Sequence, residues 1–218
     1  MSIHLETLSY KPHLCTQLNQ LTKYLYKKIK EKHKLQLQSS IIKERKMRYY
    51  IFLLLSTLLF SNTPPTPVPH VDIKKFSGLW YEIARTHNDY QKNCVAATVE
   101  YNFQTNNTYK IYNRCFKYVI GGDLIEYNGT GKPTNGNSMS KIDMTYYYFF
   151  TSEYRVIYLE KDYSAAVVAD KDMEQVWIMS RKPTLSKRKF DKILTKLENN
   201  MDIQRLILTP QDEKGRYK

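Results

Sequence analysis

From Val71 onward, apolar and polar residues alternate in short runs separated by turn residues, the period-two pattern of half-buried strands. The runs fall near residues 79–86, 94–103, 109–117, 123–131, 138–148, 154–160, 164–169 and 174–180. Between them stand Gln104–Asn107, Gly121-Gly122, Pro133–Asn137 and Asp170–Asp172, residue types that turn a chain. Eight short strands at this spacing predict a mostly-β fold, an eight-stranded antiparallel up-and-down barrel with no unpaired sheet edge. Such a barrel has room inside for side chains or one small ligand. After the eighth run the period becomes helical. Phe190, Ile193, Leu194 and Leu197 share one face of a helix predicted over 186–199, with Thr184 or Ser186 as its cap. That single apolar stripe suits a helix packed outside the barrel, and Ile203–Leu208 reads as a short final strand.

The first 70 residues follow other patterns. Residues 1–46 are polar and basic, with Leu14, Leu18, Leu21, Leu25 and Ile29 at helical spacing. A basic amphipathic helix of this kind touches a membrane surface or stands solvated. Arg48 then precedes an apolar run from Tyr49 to Phe60. A run this short falls below the about 20 residues that cross a bilayer as a helix. A positive start, a short apolar stretch and a small residue after it describe a secretory signal over 47–61, cleaved after Ser61. Met47 stands where such a signal begins, so residues 1–46 are expected to lie outside the translated product. The alternative is an uncleaved anchor formed by residues 49–60. Residues 62–70, rich in proline, are expected as an extended linker, 71–212 as the barrel domain and 213–218 as a tail.

Charge changes this picture little. The chain carries a formal +13, but residues 1–48 hold 11 Lys and Arg against 3 acids, so most of the excess sits in the extension. The barrel region is near balance, and no nucleic-acid-binding motif or zinc-ligand spacing accompanies it. No cofactor and no metal site is implied. His87, on the loop after the first strand, reads as a solvated side chain.

Three stretches carry a family resemblance. The first is Gly78-Leu79-Trp80-Tyr81-Glu82-Ile83-Ala84-Arg85. The second is Asp162-Tyr163 between two late strands, followed by Ala165-Ala166-Val167-Val168. The third is Trp177-Ile178-Met179-Ser180-Arg181-Lys182-Pro183. In this order, at barrel-like separations and before a helix, they resemble the signatures of the lipocalins, specifically the bacterial lipocalin and apolipoprotein D branch, across residues 71–212. The resemblance implies that Gly78 lets the chain turn at the closed end, that Trp80 plugs that end and that Arg181 lies across the indole. It also implies a cup that holds a small hydrophobic ligand, a fatty acid or lysophospholipid, in an exported protein: periplasmic or outer-membrane in a bacterium, secreted otherwise.

Alternation independently supports an apolar cup. Val95, Ala97, Val99, Tyr101 and Phe103 share one face of the second strand. Ile142, Met144, Tyr146 and Tyr148 share one face of the fifth, Tyr154, Val156 and Tyr158 of the sixth, Trp177 and Met179 of the eighth. From these, Val99, Tyr101, Phe103, Ile142, Met144, Tyr146, Val156, Tyr158, Trp177 and Met179 are the candidate wall. Arg114 and Arg155 are candidate partners for a charged head group, or solvated surface. The same alternation turns Glu82 inward from Trp80, which demands a bulge or a buried partner. Cys94 and Cys115 flank a hairpin that brings them nearly opposite, so a disulfide is expected, the alternative being two free buried thiols. Asn106-Asn107-Thr108 and Asn128-Gly129-Thr130 fit the glycosylation acceptor pattern. Two other functions fit such a barrel: an enzyme using a pocket thiol, and a protein-binding module using the open-end loops 86–93 and 147–153. Neither a catalytic constellation nor an oligomeric state is written in the chain.

Overall fold

The computed structural model describes residues 12–46, 65–147 and 149–212. The signal region 47–61, Tyr148 and the tail 213–218 lie outside them. The chain divides into two units, Met1–Asn62 and Thr63–Lys218. In the first, one helix, α1, spans Pro12–Lys46. Among the described residues no helix is long and apolar enough to cross a membrane.

The second unit is an eight-stranded antiparallel barrel with a ninth short strand and an outer helix. A four-residue helix, α2 (Ile73–Phe76), leads into β1 (Gly78–Thr86), β2 (Cys94–Phe103), β3 (Tyr109–Lys117) and β4 (Leu124–Asn135). There follow β5 (Ser138–Tyr146), β6 (Phe150–Leu159), β7 (Ala165–Asp170) and β8 (Val176–Ser180), then α3 (Lys187–Leu197) and β9 (Leu206–Leu208). From β1 to β8 each strand pairs with the next, and β1 closes the barrel by pairing with β8. The β1–β2 pairing covers only Gly78–Tyr81; at Ala84–Thr86 the place beside β1 is taken by β9. Helix α3 is capped by Ser186 and buries Phe190, Ile193, Leu194 and Leu197, the stripe read from the sequence.

Several boundaries differ from the alternation. Strand β6 starts at Phe150 because Phe150, Thr151 and Ser152 pair with Tyr146, Thr145 and Met144, although their side chains are exposed and show no alternation. The chain before β1 is a helix because Asp72 caps it, its Oδ1 accepting from the Lys74 and Lys75 amides at 2.8 and 2.9 Å. The final strand is shortened by a 3₁₀ turn at Ile203–Arg205. The proline-rich stretch is tied to β6: the Val68 amide donates to the Val156 carbonyl at 2.8 Å, and Arg155 donates to the Pro65 carbonyl at 3.0 Å.

The closed end is packed solid. Phe76, Trp80, Tyr101 and Tyr109 form a chain of ring contacts, with centroids 4.8, 5.3 and 5.5 Å apart, above Val71 and Ile73. Trp80 is fully buried, and its indole N–H donates to the Phe76 carbonyl at 2.9 Å. The Arg181 guanidinium lies 3.8 Å over that ring and donates to the carbonyls of Leu79, Lys75 and Phe76. Gly78 has φ +90, and a side chain there would approach the guanidinium. Asp162 and Tyr163 shape the neighbouring turn: Asp162 accepts from the Ser164 amide at 3.0 Å, and the Tyr163 hydroxyl accepts from the Asp72 amide at 3.0 Å. These signature residues therefore hold the base together.

Candidate ligand-binding site

Above the packed base the barrel encloses a cavity of about 590 Å³ that opens between the loops at the other end. This size suits one small ligand. Its lower wall is apolar: Val99, Tyr101, Met144, Val168 and Met179. Its upper wall carries Gln91, Asn113, Tyr146, Tyr154 and Trp177, and the mouth Tyr90, Tyr147, Phe150 and Gln175.

Of the residues expected on the wall, Val99, Tyr101, Met144, Tyr146, Trp177 and Met179 border the cavity. Phe103, Ile142 and Val156 do not. They face inward but lie lower, within or against the solid cluster at the base, where the barrel is filled by side chains. Tyr158 is turned away from the cavity by a bulge. Val156 pairs with Val168 but Tyr158 with Val167, so one extra residue flips it to the outer surface beside Ile193 and Leu197 of α3. A second bulge, at Ala96, breaks the inner face of β2 between Val95 and Thr98, so Val95 and Ala97 do not continue the line of Val99 and Tyr101.

The upper wall is ordered by hydrogen bonds. The Asn113 amide donates to the Tyr146 hydroxyl at 2.8 Å. That hydroxyl in turn points its proton at the Met144 sulfur 3.8 Å away, a weak acceptor. Gly129 makes room for this arrangement: a Cβ there would stand 2.8 Å from the Tyr146 ring. The Trp177 indole donates to the Gln91 side-chain oxygen at 2.9 Å, and the Gln91 amide donates to Glu82 at 2.7 Å. Burial pushes the Tyr101, Tyr146 and Tyr154 phenols up from their ordinary values, so they remain protonated at neutral pH.

Glu82 resolves the conflict seen in the alternation by both routes. A bulge follows it in the β1–β8 pairing. It is also 5% exposed and paired with Arg85 at 3.0 Å, with Gln91 and the Thr209 hydroxyl as further donors. Arg114 is held by Glu100 at 2.8 Å and Glu126 at 2.6 Å, and Arg155 by Glu153 at 2.6 Å. Both arginines are thus engaged by protein carboxylates. His87 is exposed and does not border the cavity. Cys94 and Cys115 form a disulfide with Cα atoms 5.4 Å apart at the cavity wall. Among the described residues no cluster of three metal-ligating side chains is present.

Tyr90 and Gln91 stand on the loop before β2, where periodicity carries no information, whereas Gln175 shares the parity of Trp177 and Met179 in the eighth run and is legible in principle. Asn113 was legible in principle: it shares the parity of Tyr109 and Ile111 on β3.

A barrel closed by a tryptophan under an arginine, and hollow above it, defines a class of small-molecule-binding β-barrels. A family model described as a lipocalin-like domain matches residues 71–211, and the chain belongs to the lipocalin family. It is similar to a lipocalin-type protein of Acanthamoeba polyphaga mimivirus, 28% identical over 69% of this chain and 91% of the relative. It is also similar to the outer membrane lipoprotein Blc of Vibrio cholerae, 27% identical over 74% of this chain and 98% of the relative. Among solved structures, lobster apocrustacyanin A1 matches with a TM-score of 0.51 and 25% identity, over 69% of this chain and 91% of that one.

Proposed function

We propose that this protein is an exported carrier or store of a single-chain lipid, of the fatty acid or lysophospholipid type, with its tail in the cup. The observation that carries this reading is the open cavity of about 590 Å³, apolar below and ringed by aromatic residues above. Each methylene moved from water into such a cavity contributes about 0.8 kcal/mol, so roughly ten of them offset association costs of several kcal/mol. Similarity to outer membrane lipoproteins supports a lipid setting and the bacterial-type branch. The segment 47–61 serves as the export signal, and a wall disulfide suits an oxidising compartment. At the mouth, Tyr147, Phe149 and Phe150 are 55%, 72% and 63% exposed, which supports collection of the lipid from a membrane surface. A thiol enzyme in the same cup would require a free cysteine, and both wall cysteines are bonded to each other.

Solvent extraction of the purified protein followed by mass spectrometry tests the carrier reading. An acyl lipid in stoichiometric amount is expected. An empty extract, together with no uptake of added long-chain lipids, would overturn it. Sizing the N-terminus of exported protein tests the signal, with Asn62 expected as the first residue.

A further inference from the structure

The cavity wall is rich in hydrogen-bonding groups and poor in free charge. Among the described residues bordering it, the charged side chains are Glu82 and Arg114. Glu82 is satisfied by Arg85, Gln91 and Thr209, and Arg114 is held between Glu100 and Glu126. Neither is left to neutralise a ligand. What the upper wall does offer is neutral. The Tyr146 hydroxyl receives its proton-donating partner in Asn113 but has only the Met144 sulfur to donate to. The rim lysines do not border the cavity, and Lys117 lies 5.3 Å over the Tyr118 ring.

We propose that the cup selects lipids with an uncharged head, a hydroxyl or carbonyl oxygen that accepts from the Tyr146 hydroxyl, over the ionised carboxylates and phosphates of the same chain length. This rests on the carrier reading for the cup and the buried tail, and departs from it at the head group, where an uncharged lipid replaces the fatty acid or lysophospholipid. The tail fills the apolar lower wall, and the head reaches the collar of Asn113, Tyr146 and Gln91 below the mouth. A hydroxyl or ester brought there exchanges its water for Tyr146 and loses little. An ionised carboxylate gives up a far stronger hydration shell and meets no free cation, with the Glu82 carboxylate in the same wall. An ammonium head meets a Glu82 already bound to Arg85 and is disfavoured as well. Long-chain alcohols, monoacylglycerols and sterol-like molecules share the admitted chemistry.

Titration of the full chain with dodecanol, dodecanoate and dodecylammonium at neutral pH, followed by tryptophan fluorescence, reads the preference directly, because Trp177 is in the wall. Dodecanol is expected to bind about tenfold or more tightly than either ion. Equal or tighter binding of dodecanoate places the head in water at the rim and overturns the proposal. Tighter binding of dodecylammonium makes Glu82 the recognition group and overturns it too. If none of the three binds, while diphenylhexatriene also stays out, the carrier reading fails and this one with it; if diphenylhexatriene alone enters, the cavity is a carrier's and only the head-group proposal falls. In Tyr146→Phe, dodecanol should lose severalfold more affinity than diphenylhexatriene, which has no oxygen. An equal loss for both would remove Tyr146 as the donor.

Discussion

Arg181 shows how much one residue settles at the closed end. It covers the Trp80 face at 3.8 Å and donates to the carbonyls of Leu79, Lys75 and Phe76, the last shared with the Trp80 indole. Burial lowers its pKa to about 10, yet it remains charged at neutral pH. Arg181→Met keeps the apolar stem but removes the cation and its bonds to the Leu79 and Lys75 carbonyls, while the Phe76 carbonyl keeps the Trp80 indole. It is expected to cost about 2–4 kcal/mol in urea unfolding. Arg181→Lys should recover only part of this, because an ammonium cannot span those acceptors in a plane. The signatures around Trp80 and Arg181 were readable from the chain because they are local words. The answer to Glu82 was not: alternation raised the problem, but its partners Gln91 and Thr209 arrive from a loop and from beyond β9.

Among the elements, strand alternation predicted faces well and heights badly. Ile142 and Met144 share a face of β5, yet Met144 borders the cavity and Ile142 is in the solid base. Period two holds no information about distance along the barrel axis. Nor does it announce a bulge, so Tyr158 appeared inward although one inserted residue turns it under α3. The hairpin of β2 and β3 was better specified, because its two cysteines lie 21 residues apart across a readable turn. Replacing both by serine should cost about 3 kcal/mol in the chain-entropy account, measured as a lower urea midpoint with an altered m-value. In β4, Gly129→Val should displace the Tyr146 ring and weaken lipid uptake more than it lowers the melting temperature. The strand-borne ion pairs also set a pH response. Hydrogen bonds from Arg114 lower the pKa of Glu126, and the Tyr158 hydroxyl with Lys192 lowers that of Glu160. Groups lowered by folding stabilise above the ordinary carboxylate range and lose that contribution as pH falls through their folded values. Asp170, raised by burial, runs the other way and is relieved on acidification. The melting temperature should therefore fall as pH drops below the ordinary carboxylate range, and Glu126→Gln should flatten that fall.

For the whole molecule, the division at residue 62 separates two units with their own internal contacts. A chain starting at Thr63 is expected to melt within about 2 °C of the full chain and to take up the same lipid. A chain starting at Val71 should melt lower, because it loses the bond from Val68 to Val156 and that from Arg155 to Pro65. Differential scanning calorimetry of the three chains distinguishes these outcomes. The composition marks residues 62–70 as a spacer, since prolines favour extended chain, but carries no sign that the extended chain docks on β6.

The plugged base has a consequence for traffic. With one doorway, a guest that enters tail first must depart head first. Whatever receives the cargo, a bilayer or another protein, has to grip the end that sits nearest the opening. Delivery would then be governed by the chemistry of that end, while the length of the buried chain fixes only how long the guest stays.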